Sequence, residues 1–378
     1  MPGINPMRLR EMRIVRGVSL EQLANALRVT KQAVSKYEHG KSTPASDAIR
    51  KMSALLKMPQ KYLLKKNVEF DNVCSTLFFR STSSTKKRHK EYANIIGLWG
   101  YEIIREIDNL RRVDLSTDKE LSIPEKAIEL RRQWGIGTLP IKNLIDVLER
   151  HGFYIFTIDS ADMETDAYSR IINGVPIIVI NKHKGTSVRR RFSLAHELGH
   201  LVLHKDLQDR EFRDRSNMFE QEANLFAEHF LMPSDSFENS IISPKLDHFV
   251  QMKEEWGVSI AAMIYHCGQL GVINSRKVRS LQVQMSALGW KKTEPLDNKM
   301  EFEIPHKVSN LILDKITDED AFVNFYNKVC LPLDEMERIC SLREGALTKY
   351  GTNEFGRQNT KGLEQLTLSD FAGVYIAQ

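Results

Sequence analysis

Residues 196–200 read His-Glu-Leu-Gly-His within the apolar run Phe192–His204. On a helix, positions four apart stack on one face, so His196 and His200 can offer two imidazole nitrogens to one metal ion. Zinc suits this donor set: imidazole binds it well, and catalytic zinc keeps three protein ligands and one open position. Glu197 stands beside the first histidine, where a carboxylate can take a proton from the attacking water of a metal-assisted hydrolysis. A five-residue match also arises by chance, so its surroundings decide. Leu194, Leu198, Leu201 and Val202 give the segment an apolar stripe, which predicts a buried helix. Polar groups buried there without partners would cost on the order of several kcal/mol, and a bound metal would supply those partners. Upstream, the β-branched run Val175–Asn181 reads as a strand and as one wall of the site.

A third ligand has to come from a second helix packed on the first. The stretch Phe219–Pro233 supplies one: Glu220, Ala223, Asn224, Ala227, Phe230 and Leu231 share a face, and the two alanines permit close approach. Glu220 opens that stripe and is the expected third ligand. Glu222 lies about 200° around the helical wheel from Glu220 and is the weaker alternative. His204 follows His200 by four residues but sits about 80° from His196, so it reads as a supporting or packing residue. The metzincin pattern would place a histidine where Asp206 stands, which excludes that class.

Arg191–His204 followed by Glu220-x-x-Ala-Asn224-x-Phe-Ala227 and Leu231-Met-Pro233 resembles the ImmA/IrrE family of bacterial metallopeptidases over residues 120–272. The resemblance implies a zincin-like α+β domain that cleaves helix-turn-helix repressors and so releases silenced genes. Carried over by position, the family's metal ligands fall on His196, His200 and Glu220, with one zinc per chain, and its general base falls on Glu197.

A second module opens the chain. Ser19 caps an amphipathic helix to Leu27, and Thr30 caps another that runs to His39 before Gly40. Two short helices joined by a tight turn, the second with Lys31, Gln32, Ser35 and Lys36 on its outer face, make a helix-turn-helix. Lysine suits guanine and glutamine suits adenine in the major groove. Gln22, Lys31, Gln32, Ser35 and Lys36 are therefore the expected contacts to double-stranded DNA, while Leu20, Leu23, Ala24, Leu27, Val29, Val34 and Tyr37 read as core. Glu38-His-Gly40 and Pro44 complete a resemblance to the lambda-repressor-like (Xre-type) domain over residues 6–66. Charge agrees: residues 1–66 hold 14 Lys/Arg against 4 Asp/Glu, a net +10, while the whole chain carries only +5. So basic a block within a slightly acidic remainder is a footprint for phosphates.

The 378 residues exceed one ordinary core and fit two or three domains. An apolar content of 42% and a charged content of 27% mark a soluble globular chain rather than a disordered one. With no apolar run near ~20 residues and no signal-peptide pattern, the expected location is the cytoplasm, away from membranes. Cys74, Cys267, Cys330 and Cys340 are scattered and read as buried thiols. Residues 81–90 are polar and basic, which suits a hinge, and the apolar spacing of Tyr92–Val113 predicts a connecting or dimerising helix. Helices ending at Trp134 and His151 and a strand Phe153–Ile158 precede the metal motif, and no internal repeat is evident.

The expected architecture is multidomain α and α+β: an all-α DNA-binding head (1–66), a linker and connecting helix (67–119), a zincin-like peptidase (120–272) and a mainly helical C-terminal region (273–378). The expected function is a DNA-binding regulator that is also a zinc endopeptidase, with a repressor protein as substrate and a homodimer as an allowed state. Two competing classes are a metal- or ligand-sensing transcription factor that cleaves nothing and an antitoxin-like binding module. Glu197 favours catalysis, because zinc coordination alone has no use for a carboxylate there.

Overall fold

The structure is a computed structural model that describes residues 4–66, 84–161, 163, 166–183, 185–205, 207 and 215–350. These form two compact units, one built from the described parts of 1–69, 83–109 and 309–378, the other from those of 110–308.

In the first unit, α1 (Pro6–Val15) starts at Pro6, and the Asn5 side chain accepts from the Met7 amide. Ser19 and Gln22 close a capping box on α2 (Leu20–Leu27), which ends on Arg28 in the left-handed region. Thr30 caps α3 (Lys31–Glu38) through the Ala33 amide. Helices α4 (Ser46–Leu55) and α5 (Gln60–Leu64) close the bundle around Leu9, Met12, Leu23, Ala24, Val34, Met52 and Leu63.

Helix α6 (Ser84–Ile107) departs from the linker expectation. From Ser84 the expected hinge is already helical, and residues 81–83 lie outside the described ones. The apolar stripe expected to connect or dimerise is covered inside this unit: Ile95, Ile96, Trp99, Ile103 and Ile104 are buried. Polar groups seal the contact. Arg8, 2% exposed, donates to Glu11 at 2.9 Å, Tyr62 at 3.0 Å and Glu102 at 2.5 Å. Lys65 reaches the other Glu102 oxygen at 2.6 Å, and Trp99 Nε1 donates to the Tyr62 hydroxyl at 2.6 Å. An amphipathic pattern reveals that a face is buried, but not which element buries it.

In the second unit, α7 (Ile123–Gln133) and α8 (Leu144–Arg150) lead into a three-stranded sheet of order β1-β3-β2. Strand β1 (Tyr154–Ile158) runs parallel to β3 (Val175–Asn181), and β2 (Ala167–Ile172) pairs antiparallel with β3. Asn173 and Gly174, both at positive φ, make the two-residue turn between β2 and β3. Helix α9 (Ser187–Leu203) crosses the sheet and packs on α10 (Ser216–Leu231). Leu194, Leu198, Leu201, Phe226, Phe230 and Ile178 share the resulting core. Helices α11 (Ser234–Ser240), α12 (Leu246–Trp256), α13 (Ile260–Gln269) and α14 (Ser275–Ala287) complete this unit, with Trp256, Met263 and Cys267 buried.

The chain then passes through α15 (Lys307–Lys315) to α16 (Glu319–Val329) and α17 (Leu333–Ile339), which belong to the first unit. Helix α16 packs on α6, Arg338 donates to the Tyr92 hydroxyl at 2.7 Å, and Arg16 pairs with Glu335 at 2.8 Å. The region expected as one C-terminal body is thus shared: its first part folds with the sheet, its later helices with the helix-turn-helix. Cys267, Cys330 and Cys340 are buried, while Cys74 lies outside the described residues.

Candidate metal centre and DNA-reading helix

Thr186 caps α9, and from there His196 and His200 fall on one face of an unbroken helix. Gly199 sets how close the next helix comes. A Cβ at this position would stand 3.1 Å from the Ala223 carbonyl oxygen and 3.2 Å from Phe226 Cβ. With hydrogen there instead, α10 lies against α9 and delivers Glu220. Its carboxylate oxygens stand 3.5 Å from His196 Nε2 and 3.8 Å from His200 Nε2, and the two Nε2 atoms are 3.0 Å apart.

These separations fit one small cation. A tetrahedral ion with arms of ~2.1 Å holds its ligand atoms ~3.4 Å apart, the middle of the observed range. His196, His200 and Glu220 are the group among the described residues whose donor atoms could hold a metal ion, all within 4.8 Å of one another. Protonation suits it too. Burial pushes His196 down to about 4, against a hydrogen bond to Asn224, and holds His200 well below the usual imidazole range, helped by the neighbouring His196 and His204. Both rings are neutral at pH 7, with lone pairs to give.

Hydrogen bonds behind the rings select the tautomer that points those lone pairs inward. His196 Nδ1 donates to Asn224 Oδ1 at 2.8 Å, so its bare nitrogen is Nε2. On the other ring a chain does the same. His204 Nε2 donates to Glu222 at 2.8 Å, which leaves its Nδ1 to accept from His200 Nδ1 at 3.0 Å. His200 Nε2 is then bare as well. The weaker ligand candidate, Glu222, points away from the centre, and His204 links it to His200. Asn224 lies one turn beyond Glu220, so its role was legible from the same stripe.

Glu197 is 6% exposed, and its Oε2 accepts from Ser169 Oγ at 2.5 Å. Burial pushes this carboxyl up to about 8, with the Ser169 hydrogen bond opposing and the charge on Glu220 adding to the rise. Ser169 sits on β2, a strand the sequence reading passed over. Its signal was the Asn173-Gly174 pair, a strong hairpin mark next to the strand already recognised.

In the first unit, Lys31, Gln32 and Lys36 are exposed along α3, and Ser35 is half-buried beside them. Gln22 is also half-buried, and its side-chain oxygen accepts from the Ser19 amide at 2.8 Å, so capping engages part of it. Glu38 is structural: it is buried and forms a two-pronged pair with Arg13. Leu23, Ala24, Leu27 and Val34 are buried as expected, whereas Leu20, Val29 and Tyr37 are half-buried at the margin.

A helix-turn-helix in one unit, and in the other two histidines and a glutamate on paired helices over a small sheet, define a DNA-binding protein with a metallopeptidase-type domain. Residues 9–59 match the helix-turn-helix family model, and residues 148–267 match the model of the IrrE N-terminal-like domain. The two matches fit an Xre-type helix-turn-helix fused to an ImmA/IrrE-type domain. No curated protein matches it. Among the described residues, no helix is long and apolar enough to cross a membrane.

Proposed function

We propose that the chain is a cytoplasmic DNA-bound regulator and zinc endopeptidase that cleaves a helix-turn-helix repressor protein. The observation that carries this reading is Glu197, a buried carboxylate next to His196 on the helix that also presents His200. His196, His200 and Glu220 would hold one zinc ion, which would supply Lewis acidity to polarise the scissile carbonyl and acidify the attacking water. The positive charge of that ion would favour the ionised form of Glu197 against its burial. Glu197 would then take the proton of the attacking water on its carboxylate and return it to the leaving amine as the C–N bond breaks. Ser169 holds the carboxylate in place by its hydroxyl. Asn224 and the His204–Glu222 pair hold the two imidazoles. Lys31, Gln32, Ser35, Lys36 and Gln22 form the DNA face, which places the enzyme near the genes its substrate silences and raises its local concentration.

The test is co-expression of the full chain, wild type or Glu197→Gln, with repressors encoded nearby. The expected result is a repressor fragment with the wild type and none with Glu197→Gln, at equal zinc content. Promoter control kept in full by Glu197→Gln, with no fragment in either case, would replace the peptidase by a metal-sensing transcription factor.

A further inference from the structure

We propose that Arg88, on α6 and outside the helix-turn-helix match, is a further contact to the DNA backbone that binds one phosphate beside the recognition helix. The proposal rests on the DNA-binding reading above. Arg88 is exposed, and its Nη2 donates to the Gly17 carbonyl at 2.9 Å, in the turn that precedes α2. This brings the guanidinium to the edge of two open clefts. One is shared with Ser19, Gln22 and Asn25, the cap and one side of α2, the other with Arg13 and Lys31. Lys31 and Gln22 are themselves expected DNA contacts, so Arg88 shares the surface of the reading helix.

The chemistry fits a phosphate. A guanidinium carries five N–H donors in a fixed fork, and the bond to Gly17 uses one of them. The others suit the paired oxygens of a phosphodiester better than a point-charge ammonium would. The carbonyl anchor holds the fork in place before DNA arrives, which lowers the entropy cost of ordering it. Arg88 also sits in the basic sequence Lys86-Lys87-Arg88-His89-Lys90. Glu21 lines both clefts as well and opposes an anion there, so its removal is part of the test.

The experiment measures binding of the full chain to a random-sequence duplex of about 30 base pairs across a salt series, for wild type, Arg88→Gln, Arg88→Lys and Glu21→Gln. Arg88→Gln removes the charge and leaves only a shorter, neutral amide at this position. It should lower affinity about three- to tenfold and reduce the slope of log affinity against log salt by about one. Arg88→Lys keeps the charge and should keep the slope. Glu21→Gln, an exposed change, should raise affinity a few-fold at low salt. An Arg88→Gln slope equal to wild type would overturn the proposal, as would a Glu21→Gln affinity equal to wild type should Arg88→Gln fail to fold. Wild type that binds no duplex at any salt would instead remove the DNA-binding reading itself. Binding that falls with Lys31→Ala but not with Arg88→Gln would remove only the role of Arg88.

Discussion

Replacing Glu222 by alanine tests whether the hydrogen-bond chain behind the histidines does chemical work. Glu222 lies outside the candidate ligand set, so any effect on zinc must travel through His204 to His200, across bonds of 2.8 Å and 3.0 Å. Losing such a supporting partner costs roughly 10–100-fold in metal affinity. Because the Glu222 side chain is 32% exposed, water replaces part of its interaction, and the lower end applies. The expected loss is about tenfold, or ~1.4 kcal/mol. Glu220→Ala removes a candidate ligand and should exceed it by a wide margin. The assay is zinc competition against a chelator of known affinity for wild type, Glu222→Ala, His204→Leu and the double variant. If Glu222 acts only through His204, its removal in the His204→Leu background should change nothing further. Additive losses, or a Glu222→Ala affinity equal to wild type, would refute the relay.

Four further outcomes are expected. Ser169→Ala should leave zinc affinity unchanged and lower peptide turnover about tenfold, since one hydrogen bond to a charged group is worth roughly 1.5–3 kcal/mol at most. Lys31→Ala, Gln32→Ala and Lys36→Ala should each cost ~1–3 kcal/mol of discrimination between operator and random duplex. Equal losses on both would assign the side chain to phosphate contact alone. Glu102→Ala removes one of the two carboxylates paired with the Arg8 guanidinium, which is 2% exposed and keeps Glu11, and should destabilise the first unit by roughly 1.5–3 kcal/mol in urea unfolding. Burial pushes Glu228 up to about 7, so ionising it costs stability as pH rises from the ordinary carboxylate value of 4.5 toward 7, after which the cost is constant. Glu228→Gln should therefore gain about 1–3 kcal/mol at pH 8 and nothing near pH 4.5, checked by unfolding at both values. A gain of the same size at both pH values would exclude ionisation as its source.

The local determinants of this protein were written in the sequence. Histidines four apart, a neighbouring glutamate and an apolar stripe require only helix geometry to share a face, and α9 shows that arrangement. Ser19, Thr30 and the tight turn at Arg28 set the two helices of the helix-turn-helix by local capping alone. Glu220 could be preferred over Glu222 because a helical wheel separates them without any knowledge of the partner helix.

What the tertiary structure decided were pairings between segments distant in the chain. Ser169 meets Glu197 only because β2 folds back along β3 against α9. The chain from Glu222 through His204 to His200 exists only because Gly199 lets α10 come close. The stripe on α6 announced burial but not its cover, which turned out to be α1, α5 and the late helix α16. Periodicity is a property of one segment, whereas the choice of which buried faces meet follows from the packing of the whole chain. For that reason the residues that could hold the metal were legible, and those that orient them were largely not.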